Sequence, residues 1–337
     1  MNDAVLEVLF AGPHVSVQDA GRTGLMRYGV PASGPMDRLA CEAANLALGN
    51  RPECSAIEVS LGGLSLTCRA GEVSFAVAGG DFIVEHAGAR RGSWIIATLR
   101  AGEKLAVRTG PWGSWAYLAF AGELQSPLWL GHAATHALSG LGGGKLASGQ
   151  TWMITHAERR ENREGDFPCP VFARPTHKAR VTIGPQDRFF APETVQVFLH
   201  EAWKMTDAWD RMGVRLSGPL IAPEGALDML SDPILRGSVQ VAGDGVASIL
   251  LADHQTTGGY PKIATVLDCD LDAMMQLRPG DPLHFEAVTP DEAIQIARVS
   301  ADRRRRYCDS LAKARGSLEM RLWSENLIGG VVDATRS

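Results

Sequence analysis

Several familiar signatures are missing from this 337-residue sequence, and each absence removes a class of protein. No G-x-G-x-x-G follows a strand-like run, and there is no H-E-x-x-H and no G-x-S-x-G. A self-contained dehydrogenase, a zinc protease of that type and a serine hydrolase are therefore excluded. Gly144-Lys145 resembles the end of a phosphate-binding loop. However, Ser139 stands where the first glycine belongs, and Leu146 where a serine or threonine belongs. No apolar run reaches the ~18 residues that a membrane span needs. The first residues have no basic segment ahead of an apolar core, so no signal peptide is expected. The six cysteines contain no C-x-x-C pair, which predicts reduced, mostly buried thiols and a cytoplasmic protein. His132 and His136 are four residues apart but have no acidic ligand nearby, so no metal site is expected there. A net charge of −5 gives no electrostatic reason to expect a nucleic-acid partner.

What is present is glycine, proline and short apolar runs. With 37 glycines and 18 prolines, turns are frequent, which favours short strands over long helices. Ala56–Leu61, Leu64–Cys68, Val73–Ala78, Ile95–Leu99, Lys104–Thr109 and Trp115–Ala119 read as strands, in the rhythm of a barrel or sandwich. A second block reads the same way at Ala179–Ile183, Val195–Leu199, Trp203–Met205, Ser238–Val241, Ala247–Leu251, Ala264–Leu267 and Pro282–Ala287. Glu158–Pro175, with its charges and prolines, is expected as the linker. Helices are expected at Arg38–Leu48, closed by Gly49-Asn50, and from Pro290 onward, capped by Thr289. Domains are accordingly expected at 1–165 and 166–300, with a helical tail over 301–337. The basic run Arg303–Arg306 is expected as a solvated helix face.

Three polar, glycine-containing segments are candidates for chemistry. The first, Asp19–Asp37, carries Arg22, Thr23, Ser33 and an exposed-looking Asp37. Arg22 and backbone N–H groups could hold a carboxylate or phosphate, and Asp37 either caps the helix or acts in catalysis. The second, Asp210–Pro219, holds Arg211 and Arg215 around Gly213. They either pair with Asp207 and Asp210 or grip a planar anion. The third, Asp253–Lys262, lies between two apolar runs and is longer than a hairpin needs. It offers Asp253, Gln255, Thr256, Thr257, Tyr260 and Lys262, while Gly258 and Gly259 allow close approach of a ligand. Lys262 is suited to neutralise an oxyanion or a phosphate.

In order, the runs VQDAGRTG, GVPASGPMD, AANLALGN, AIEVSLGG, DRMGVRLSGP and ADHQTTGGYPKIATV resemble the family of the C subunit of bacterial 5-oxoprolinase. That family includes KipA, the antagonist of KipI, and is similar to the carboxyltransferase domain of urea amidolyase. The resemblance covers about residues 5–288. It implies a mainly β chain with two tandem cyclophilin-like β-barrels and a few short helices. It also implies a hetero-oligomer with a KipI-like B subunit and an A subunit, using ATP, with Mg²⁺, to open the lactam of 5-oxoproline to glutamate. In that role Lys262, Tyr260 and Asp253 would be catalytic. Arg22, Ser33, Asp37, Arg211, Arg215, Gln255, Thr256, Thr257, Gly258 and Gly259 would bind substrate or nucleotide. Two alternatives follow from the same family. One is a carboxyltransferase acting on a urea-like amide. Its biotin would ride on another protein, because this chain has no Ala-Met-Lys-Met segment. The other is a non-enzymatic antagonist of a KipI-like kinase inhibitor. Two departures from the family pattern are Val214, where an aromatic is usual, and the run Gly131–His136.

Overall fold

The computed structural model describes residues 3–224 and 229–313. The chain is mainly β, and its first half contains two sheets. A seven-stranded sheet has the order Glu123–Leu124, Thr151–Thr155, Ala4–Ala11, Leu64–Ala70, Lys104–Arg108, Ile83–His86, Ala89–Gly92. A six-stranded sheet has the order Gly165–Asp166, Ile95–Arg100, Glu72–Ala78, Trp115–Phe120, Ala56–Ser60, Ser16–Gln18. The side-chain period of two explains how these sheets stack. Val73, Phe75 and Val77 join Leu6, Val8 and Leu66 in a core between the sheets. Ala76 and Ala78 point the other way, into a second core that holds helix α1 (Arg38–Leu48) and extends into the second half of the chain.

That second half closes a seven-stranded barrel in the order Lys178–Ile183, Lys262–Val266, Ser238–Val241, Ala247–Leu250, Gly213–Ser217, Trp203–Trp209, Pro282–Ala287. Parallel pairing of the first and last of these strands completes the ring, which removes free sheet edges. Val181, Val214, Val239, Val241 and Ile249 fill the interior. Asp253–Lys262 does not close a hairpin. The strands on either side of it do not pair; Ser238–Val241 lies between them. The segment is therefore a crossing loop, and its Thr257–Gly258 pairs with Asp232–Pro233.

Other expectations are corrected. Val195–Leu199 is not a strand but part of α2 (Pro192–His200). Pro192 at the first turn and Glu193 favour a helical start, and Phe198 stacks on Phe285 at 4.5 Å between centroids. A short helix, α3 (Asp268–Met274), follows the crossing loop and was not expected. Helix α4 (Pro290–Ala312) carries a capping box between Thr289 and Glu292. The Arg303–Arg306 run is only partly a solvated face. Arg304 turns inward to Glu42 of α1 and to Asp272 at the end of α3, at 2.7 and 3.0 Å. Arg163, within the segment expected as a linker, donates to Ala47 O of α1 and to Ala312 O of α4, capping both C-termini. The tail expected over 301–337 is helical to Ala312, and residues 314–337 lie outside the described residues. No helix among the described residues is long and apolar enough to cross a membrane.

Candidate anion site at the junction of the two halves

Arg211 lies just before the strand Gly213–Ser217 and is fully buried. Its Nε and Nη2 donate to the two oxygens of Asp253, at 3.0 and 3.1 Å. Nη1 binds Glu58 from the first half, and Nη2 also reaches Gly34 O at 2.5 Å. Asp253 accepts a further bond from Ala137 N at 2.8 Å. Burial pushes the Asp253 carboxyl up, but the charge and hydrogen bonds of Arg211 outweigh that and hold it below the usual range, with Ala137 N and Ser33 contributing. Glu58 accepts from Met36 N and from the Tyr117 hydroxyl, each at 2.8 Å, and that hydroxyl accepts from Asp37 N at 2.8 Å. One charge-assisted network thus ties the glycine-rich segment, the six-stranded sheet and the barrel together.

Asp37 is buried, not exposed. Its Oδ1 caps α1 by accepting from Ala40 N at 2.9 Å, and its Oδ2 accepts from Gln276 Nε2 at 2.7 Å. Burial and the nearby charge of Asp272 push this carboxyl up to about 7, against those hydrogen bonds. Ser33 sits next to the network in a left-handed conformation, φ 54°, a strained geometry for a non-glycine residue. Arg211 and Arg215 are not a pair. Arg215 faces outward and binds Asp244 at 2.7 Å, and with Gln255 it lines an open groove of about 460 Å³ on the outside of the barrel. Neither arginine pairs with Asp207 or Asp210, the partners expected from their spacing.

Two cations stand apart from this saturated network. Arg22 is fully buried. Its Nη1 donates to Ala134 O at 2.6 Å, its guanidinium lies 4.4 Å from the centroid of the Trp129 ring, and its Nε and Nη2 have no partner. Lys262 is buried at a bulge in the pairing of its strand, with its backbone N–H on Gln186 Oε1 at 3.0 Å and its Nζ unpartnered. Burial lowers the Lys262 ammonium pKa, opposed by Asp232. Unpaired buried donors are costly, and an anion is the partner that suits them. Tyr260 is 51% exposed, and Thr257 is also exposed. Gly258 serves packing: a Cβ there would meet Ile234 at 2.5 Å. Gly259 is freer, with Met229 O at 3.6 Å the nearest atom.

The two departures from the family pattern have different consequences. Val214 is buried in the barrel core. The run Gly131–His136 forms a wall of the site, because Ala133 N and Ala134 N donate to Asp19 and Ala134 O receives Arg22. Glu58, Tyr117 and Gln276 were not singled out from sequence. A carboxylate in the middle of the apolar strand Ala56–Ser60 was the available signal.

Residues 28–287 match the family model described as carboxyltransferase domain, subdomain A and B. The chain is 32% identical to the C subunit of 5-oxoprolinase from Haemophilus influenzae, over 90% of this chain and 99% of that one. The crystal structure of TTHA0988 superposes with a TM-score of 0.75 at 32% identity, covering 84% of this chain and 56% of that one. The Kluyveromyces lactis urea amidolyase structure gives a TM-score of 0.79 at 28% identity, covering 91% of this chain and 20% of that one. The fold, the order of the glycine-rich segments and these matches agree: the chain belongs to the carboxyltransferase-domain family, subdomains A and B.

Proposed function

We propose that this chain is the C subunit of an ATP-dependent 5-oxoprolinase, opening the lactam of 5-oxoproline to glutamate with a KipI-like B subunit and an A subunit. The observation that carries this reading is the nearly end-to-end match to a 5-oxoprolinase C subunit, against a match to only a fifth of a urea amidolyase. The buried, unpartnered ammonium of Lys262 supports it, since lactam opening develops negative charge on the amide oxygen. Lys262 would place its ammonium against that oxygen. Arg211 is committed to Asp253 and Glu58, so Asp253 is better read as a positioning residue that aims Arg211 and receives Ala137 N than as a free base. Tyr260, half exposed on the same loop, is offered toward substrate or partner.

ATP would supply the phosphoryl group that activates the amide. Mg²⁺ is a different matter. Among the described residues no group of three or more His, Cys, Asp or Glu side chains is placed to hold a metal, and Asp253 is fully engaged. Mg²⁺ would instead arrive with ATP, held mainly by the phosphates and water. The test is to purify the chain with and without its B and A partners and measure glutamate release from 5-oxoproline with ATP. No release from the full mixture would overturn the reading. Close superposition on urea amidolyase favours one alternative, transfer of a carboxyl group to a urea-like amide from biotin on another protein. A streptavidin blot of co-purifying partners detects it.

A further inference from the structure

The unused part of Arg22 has a definite shape. Nη1 is spent on Ala134 O, and the two unpartnered atoms are Nε and Nη2. In a guanidinium these two N–H groups point the same way and form the edge that takes a carboxylate side-on, with two parallel bonds. What is left free is therefore one intact fork, buried completely. The carboxylates whose charge reaches Arg22 are Asp19 and Asp253. Both are committed: Asp19 accepts from Gly21 N, Ala133 N and Ala134 N at 2.9, 2.7 and 3.2 Å, and Asp253 is held by Arg211 and Ala137 N. Neither can be diverted to Arg22 without orphaning backbone donors. A further unpaired buried atom, Gln18 Oε1, belongs to a side chain whose Nε2 donates to Thr135 O, the carbonyl following the one that Arg22 holds.

Part of the cover over Arg22 is aromatic. Trp129 lies on the guanidinium face, and Trp129–His132 is a two-residue turn closed by reciprocal bonds of 2.9 and 3.1 Å. Its tip places Leu130 at φ 52° and Gly131 at φ 82°. Gly131 accepts that conformation freely, but Leu130 is strained there, and its side chain is exposed.

We propose that the Nε/Nη2 edge of Arg22 takes the carboxylate of a small cyclic amide, so that this chain selects lactams bearing a carboxylate over uncharged amides. This rests on the amide-opening reading above and narrows it. The planar fork fits a carboxylate, and urea or an unsubstituted lactam would leave it empty.

The test uses the assembled complex with 5-oxoproline and 2-pyrrolidinone, the same ring without its carboxylate. Wild type, Arg22→Gln and Arg22→Lys are compared for KM and kcat, and for thermal stabilisation by each lactam and by inorganic phosphate. Loss of two charge-assisted bonds should raise KM for 5-oxoproline by about 10- to 100-fold in Arg22→Gln, and should lower any activity on 2-pyrrolidinone by much less. Arg22→Lys, which keeps the charge but not the fork, should fall between. An equal loss for both lactams, or Arg22-dependent stabilisation by phosphate and not by 5-oxoproline, would overturn the proposal. If the wild-type complex releases no glutamate, the function reading fails. Arg22-dependent stabilisation by 5-oxoproline would still uphold the carboxylate site, and its absence would overturn it.

Discussion

Replacing Arg211 with methionine should be the most damaging single change at the junction. Methionine matches the stem but removes the guanidinium, leaving Asp253 and Glu58 as buried carboxylates without a cation. Breaking a buried pair from one side costs about 3–5 kcal/mol. For 337 residues unfolding together at about 2.1 cal/mol/K per residue, the unfolding entropy is about 0.7 kcal/mol/K, so Tm should fall by about 4–7 °C. The loss should also depend on pH. In the wild type the Asp253 carboxyl is held below its ordinary value, so its contribution is present above the unfolded pKa and fades as pH falls through the folded one. In the variant the orphaned Asp253 carboxylate favours protonation, so the deficit should be largest near pH 8 and smaller near pH 5. Calorimetry of both proteins across that range is the assay. A Tm change below about 1 °C, or a deficit independent of pH, would refute the argument that this network holds the halves together.

Other changes separate structure from chemistry. Asp37→Asn keeps a good helix cap and removes a buried titration. A carboxyl raised to about 7 contributes stability below its unfolded pKa and loses it as pH rises toward 7. The variant should therefore gain on the wild type as pH rises from about 4 to 7, read by urea midpoints. Lys262→Met should cut turnover of the assembled complex by about 10²- to 10³-fold, while the Tm of the free chain stays level or rises, because an unpaired buried ammonium is removed. Phe198→Ala, which empties the stack on Phe285, should cost about 3–5 kcal/mol by urea denaturation while leaving the kcat of the folded fraction unchanged.

Much of the fold was legible because local signals agreed. Asp37 and Gly49 bracket α1 as a cap and a left-handed stop, and Thr289, Pro290 and Glu292 announce α4. Val195–Leu199 misled because a short apolar, β-branched run does not distinguish strand from helix, and its tertiary contacts with Trp203 and Phe285 decide. The site was partly legible. Arg22, Ser33, Arg211 and Asp253 converge as polar residues in glycine-rich segments suggest. Strand pairing is non-local, so nothing near Arg215 indicated that it would face Asp244 while Arg211, four residues earlier, turned to the junction. Nor could sequence show that Asp253 would be saturated while Arg22 and Lys262 stayed free. That distinction moves Asp253 from the catalytic role expected from sequence to a scaffold, and leaves Arg22 and Lys262 as candidate ligands for an anion.

The most direct measurement is glutamate formation from 5-oxoproline and ATP by the chain reconstituted with the KipI-like B and A subunits proposed as its partners. The account predicts release that needs this chain and collapses with Lys262→Met. Glutamate release that is unaffected by Lys262→Met, or none from the complete mixture, would contradict it.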